Sequence, residues 1–138
     1  MTQSHAQIKL TPKPINLEDA ISFVSHEGSF TCSYSRPSSK KNIATYSEKD
    51  IEAQAAMAKM ELDAIILYAF EEFNISKIAI HSRLGSYALG DTIVGFALSS
   101  NSKEDTEQAC EAVTAKLNGL SESWNEKEFT GDNIWIKN

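Results

Sequence analysis

Residues 77–98 constrain this chain most. Two apolar stretches, Lys77-Ile78-Ala79-Ile80 and Thr92-Ile93-Val94-Gly95-Phe96-Ala97-Leu98, flank a short connection that contains Gly85 and Gly90. Short apolar runs of this length, rich in β-branched residues and bounded by glycines, read as strands. The connection 84–90 then joins them as a strand pair, and the rest of the chain must supply what packs against it.

The flanking sequence supplies three helices. Asn16 is a helix cap with acids in the first turn behind it, and Leu17, Ala20, Ile21 and Val24 share one face, which Gly28 ends. Ser47-Glu48-Lys49-Asp50 has the form of a capping box, and Ile51, Ala55, Ala58, Leu62, Ile65, Ile66 and Ala69 recur at three- and four-residue steps, which predicts a long helix over 47–73. Ser102-Lys103-Glu104-Asp105 is a second such box, and Thr106, Ala109, Cys110, Val113 and Leu117 form the face of a helix that should stop at Asn118-Gly119. Strands are expected at 7–10, at the alternation Phe30, Cys32, Tyr34, and at 133–136. Arg36 to Asn42 is a flexible basic loop. Helices and strands intermingle without regular alternation, so the class is α+β, in one domain over 1–138 with residues 1–6 flexible.

Composition excludes several partners. A net charge of −6 disfavours nucleic acid and anionic membranes, both of which need a basic patch. No apolar stretch approaches a bilayer span and no signal peptide opens the chain, so the expected location is cytoplasmic. Cys32 and Cys110 stand in no metal or redox motif and read as reduced, partly buried small hydrophobes; a Cys32–His81 nucleophile pair would require folding to join them. His5, His26 and His81 lack ligand spacing, so neither a metal nor a cofactor is expected.

The order apolar strand, Ser82-Arg83-Leu84-Gly85, short loop, Gly90-Asp91-Thr92-Ile93-Val94 resembles the large, catalytic subunit of molybdopterin synthase. The likeness runs from Gly28 to Trp124 and on to Trp135-Ile136, through Glu52, Met57, Leu62, Ile65, Ser100, Ala109 and Leu117. The resemblance implies an α/β-hammerhead-like fold with an additional small antiparallel sheet, and a homodimer whose active site is completed across the two-fold interface. It also implies a small ubiquitin-like sulfur-carrier partner, whose C-terminal thiocarboxylate gives sulfur to a cyclic pyranopterin monophosphate.

That chemistry needs cations, because the phosphate and the incoming carboxyl terminus are both anionic. The family's two lysines fall at Asn118 and Asn125, its arginine after the first core strand at Ser38, and its His-Arg pair at Ser102-Lys103. Its arginine beyond the last tryptophan has no counterpart before Asn138. The resemblance thus makes Lys103, Ser102, Ser38, Lys40, Lys41 and Arg83 the substrate-binding candidates. Segment 103–128 carries seven acids against three lysines, a formal −4 that repels a phosphorylated ligand. Each position has a structural account too: Asn118 as a helix C-terminal residue, Asn125 as a solvated loop residue, Ser102 as an N-cap, Lys40 and Lys41 as solvated charges, Arg83 as a fold or dimer contact. The resemblance leaves two functions open: a molybdopterin synthase large-subunit-like protein with substituted catalytic positions, or a non-catalytic paralogue that serves as a dimeric binding or regulatory module.

Overall fold

The computed structural model describes residues 5–124. Seven elements succeed one another: β1 (Ala6–Thr11), α1 (Leu17–Val24), β2 (Phe30–Pro37), α2 (Glu48–Glu72), β3 (Lys77–Arg83), β4 (Thr92–Ser100) and α3 (Lys103–Trp124). They come in the expected order. The strand expected at 133–136 lies outside the described residues.

The four strands form one mixed sheet in the order β1-β3-β4-β2. β3 and β4 pair antiparallel, with Ile80 opposite Phe96; β2 joins β4 antiparallel, with Cys32 opposite Leu98; β1 joins β3 in parallel, with Ile8 opposite Ile80. Strand alternation then sorts the side chains. Ile8, Cys32, Tyr34, Ile78, Ile80, Phe96 and Leu98 face the main core with Leu62, Ile65 and Ala69 of α2 and Ala109, Val113 and Leu117 of α3. Ala79 and Ala97 face the other way, where Ala20 and Val24 of α1 cover them. The result is three layers: α1, the sheet, then α2 with α3.

The small residues of the second face set how closely α1 approaches. A Cβ added at Gly95 would stand 2.9 Å from Leu17 Cδ1 and 3.1 Å from the Tyr34 carbonyl oxygen, so this strand position takes a glycine. In α2 the capping box forms: Ser47 Oγ accepts from Asp50 N at 3.1 Å, and Asp50 Oδ2 accepts from Ser47 N at 2.9 Å.

Four expectations need correction. β1 begins at Ala6, inside the segment expected to be flexible, because Ile78 N donates to His5 O at 3.0 Å and seats the strand from its first residue. α3 does not stop at Asn118-Gly119 but runs to Trp124. An Asn-Gly pair permits a left-handed turn without requiring one, and Leu117 and Leu120 on the core side carry the helix through. At the start of α3, Ser102 Oγ accepts from Asp105 N at 3.1 Å, but Ser102 N donates to Ser100 Oγ at 3.1 Å, so the strand completes what a capping box would. The additional antiparallel sheet is reduced, among the described residues, to an isolated bridge between Asn42 and Tyr87.

Candidate functional site

The sequence candidates fall into separate groups. The first surrounds the β3–β4 connection. Ser38 is buried there: its N donates to Asp91 O at 2.8 Å, its Oγ donates to Ala88 O at 2.8 Å, and Gly90 N donates back to Ser38 Oγ at 3.0 Å. The hydroxyl is thus committed to holding the connection. Asp91 Oδ2 accepts from Ala88 N at 2.9 Å and pairs with Arg83 Nη1 at 3.5 Å. The Arg83 side chain is only 11% exposed, and its Nε is buried with no hydrogen-bond partner among the described residues. Arg83, Asp91, Asn42, Ser86, Tyr87 and Ala88 line an open cavity of about 410 Å³. The guanidinium brings a positive charge to this cavity, where Asp91, its carboxylate partner, lines the same opening. Lys40 and Lys41 are exposed on the neighbouring loop.

The connection is fastened from below by Gln54, which the apolar pattern of α2 gave no reason to notice. Its side chain is 1% exposed and Oε1 accepts from Gly85 N at 2.7 Å. Gly85 has φ +76°, and a Cβ there would meet Ile51 Cδ1 at 3.0 Å, which accounts for the glycine in the Arg-Leu-Gly signature.

The second group is Ser102 with Lys103. Ser102 caps α3, and Lys103 is exposed on its first turn. Asn118 sits fifteen residues beyond Lys103 on the same helix, about 22 Å away at 1.5 Å per residue. Within one chain these groups do not meet. Asn118 Oδ1 accepts from the Tyr34 hydroxyl at 3.1 Å, which ties α3 to β2 at this end. Asn125 lies outside the described residues.

His81 does not face Cys32. It lies on the α1 side of the sheet, 1% exposed, with Nε2 2.8 Å from Gln7 Oε1, while Cys32 packs into the main core. Strand parity thus rules out the nucleophile pair. Burial and the nearby Lys9 ammonium hold the imidazole below the ordinary histidine range, against an opposing pull from Asp19. A second cavity of about 270 Å³ opens here, lined by Lys9, Lys13, Asn16, Asp19 and His81 among others. Among the described residues no three His, Cys, Asp or Glu side chains gather to hold a metal ion, and no helix is long and apolar enough to cross a membrane.

Residues 10–118 match the MoaE protein family. The molybdopterin synthase catalytic subunit of Arabidopsis thaliana is 33% identical over 94 residues, 68% of this chain and 48% of the relative. That of Oryza sativa subsp. indica is 28% identical over 87 residues, 63% of this chain and 45% of the relative. The chain therefore spans about half the length of these curated relatives. In three dimensions it is similar to molybdopterin synthase from Staphylococcus aureus, with TM-score 0.55 at 17% identity over 79% of this chain and 81% of that one. It is also similar to the molybdopterin biosynthesis MoaE protein of Burkholderia ambifaria, with TM-score 0.56 at 16% identity over 80% and 77%. At such identities the structures speak for the fold, while the family match covers most of the chain, from the end of β1 to Asn118 in α3: the chain belongs to the MoaE protein family.

Proposed function

We propose that this chain is a molybdopterin synthase large-subunit-like protein of molybdenum cofactor biosynthesis that keeps the family's α/β-hammerhead-like frame and homodimer but transfers sulfur poorly. It would act in the cytoplasm beside a small ubiquitin-like sulfur-carrier subunit. The observation that carries this reading is Asn118. It stands where the resemblance puts a lysine, and its amide is engaged by Tyr34. An amide carries no charge to hold a phosphate or thiocarboxylate and gives up no proton at neutral pH. Asn125 repeats the substitution in sequence. A homodimer would be needed to bring Lys103 of one copy to the Asn118 end of another, since one chain holds them about 22 Å apart.

Purified protein supplied with a thiocarboxylated small subunit and cyclic pyranopterin monophosphate should yield little dithiolene product, while still binding the small subunit in calorimetry. Turnover near that of a lysine-bearing family enzyme would overturn this. The second reading, an active enzyme with compensating cations, is favoured by the place of Arg83 in the lining of its cavity. Under that reading, turnover would be high and would be lost on replacing Arg83, Lys40, Lys41 or Lys103.

A further inference from the structure

The two cysteines, 32 on β2 and 110 on α3, meet where strand and helix pack. Both are half-buried against the main core and neither is in a disulfide. Cys32 Sγ lies 4.0 Å from the Thr106 carbonyl oxygen, one helical turn before Cys110, so the packing of α3 on β2 makes the two thiols neighbours. Thr106 lies beside them, its Oγ1 sharing one proton between Ser102 O at 2.9 Å and, across the gap from helix to strand, Phe30 O at 3.2 Å. We propose that Cys32 and Cys110 form a modification site: a dithiol that a low-molecular-weight disulfide converts to an intrachain bridge, clamping strand β2 to α3.

The chemistry balances in two exchanges. Cys110 loses its proton and its sulfur attacks one sulfur of the small disulfide, releasing one small thiol and leaving a mixed disulfide on Cys110. Cys32 then loses its proton and attacks the Cys110 sulfur of that mixed disulfide, releasing the second small thiol and forming the Cys32–Cys110 bond. Two protein thiols are oxidised and one small disulfide is reduced.

The surroundings choose the order. The neighbouring Cys32 side chain, and Thr114 with it, hold the Cys110 pKa below the ordinary thiol value against the opposing effect of burial, while the Cys110 side chain and burial push Cys32 up. Cys110 is therefore the attacking thiolate and Cys32 the resolving thiol. A disulfide needs the sulfurs at about 2.0 Å and the Cβ atoms at about 3.8 Å, so the neighbouring thiols must close by side-chain rotation. Because α3 also carries Lys103 and Asn118 and is capped by Ser102, the bridge would fix these candidates relative to β2.

The test uses the full chain and oxidised glutathione. After incubation, the wild-type protein should lose both alkylatable thiols, weigh two hydrogens less, remain free of interchain bridges, and give a proteolytic peptide pair joining positions 32 and 110; dithiothreitol should reverse all of this. Cys32→Ser should instead accumulate glutathione on Cys110, having no resolving thiol. Two thiols still alkylated by N-ethylmaleimide after oxidation, two stable glutathione adducts per wild-type chain, or a bridge between two chains would each overturn the proposal. The decisive readouts are on the wild-type protein, so a poorly folding variant does not blunt them.

Discussion

Replacing Gln54 with methionine tests how much one buried hydrogen bond contributes to holding the β3–β4 connection. Methionine has nearly the same length and volume but presents no strong acceptor, so Gly85 N–H would lose the oxygen now 2.7 Å away. Gly85 is itself buried beneath the connection, so water cannot simply replace the partner. An unsatisfied buried donor costs about 1–3 kcal/mol, and we expect about 2 kcal/mol, since little cavity is created. That is roughly a 30-fold fall in the folding equilibrium constant. Urea unfolding monitored by circular dichroism should show a lower midpoint at unchanged slope. Hydrogen exchange should locate the effect, with the Gly85 amide losing more protection than the centre of β3. A Gln54→Met protein as stable as wild type, with Gly85 equally protected, would refute the assignment of Gln54 as the fastener.

Gly95→Ala should destabilise by about 1–3 kcal/mol in the same unfolding assay, because the new methyl would sit 2.9 Å from Leu17 Cδ1 and 3.1 Å from the Tyr34 carbonyl. Ser47→Ala removes half of the α2 capping box and should cost about 1 kcal/mol, read as a lower urea midpoint. The pKa of His81 is held below its ordinary 6.5 in the fold, so below about pH 6.5 the unfolded chain takes up a proton that the folded chain resists. Stability should be unaffected by this group above that pH and should fall as pH drops from 6.5 towards the lower folded value; His81→Gln should remove that part of the slope. Asn118→Lys combined with Asn125→Lys should strengthen binding of phosphate or pterin precursor in calorimetry, each contact to a charged donor being worth about 1.5–3 kcal/mol. Equal, tight binding by wild type and double variant would show that the pocket's cations come from elsewhere.

Legible and illegible features of the sequence divide along a physical line. Caps, apolar periods and glycine-bounded runs are local, and they located all seven described elements; the Ser47 box and the Asn16 cap formed as read. Interactions that depend on tertiary contact were not legible. Gln54 interrupts an apolar helix face and carries no local mark of its partner at Gly85. Cys32 and Cys110 lie in separate elements, and only the packing of α3 on β2 joins them. The Asn118-Gly119 stop misled because a helix end depends on whether the next turn can pack, and here Leu120 packs against the core. For the candidate site, the sequence named the positions but could not place them about 22 Å apart along one helix.

The strand order carries a consequence for how the chain assembles. Only β3 and β4 are joined by a short connection; β1 must find β3, 72 residues away along the chain, and β2 must find β4, 55 to 70 residues away. Loop-closure entropy therefore favours growth outward from the central pair, with β1 seated late. On a ribosome, β1 and β2 emerge and wait, their backbone groups unsatisfied by sheet partners, until residues 77–100 are free to receive them. Substitutions in β3 and β4 should then slow folding itself, while those in β1 should mainly speed unfolding.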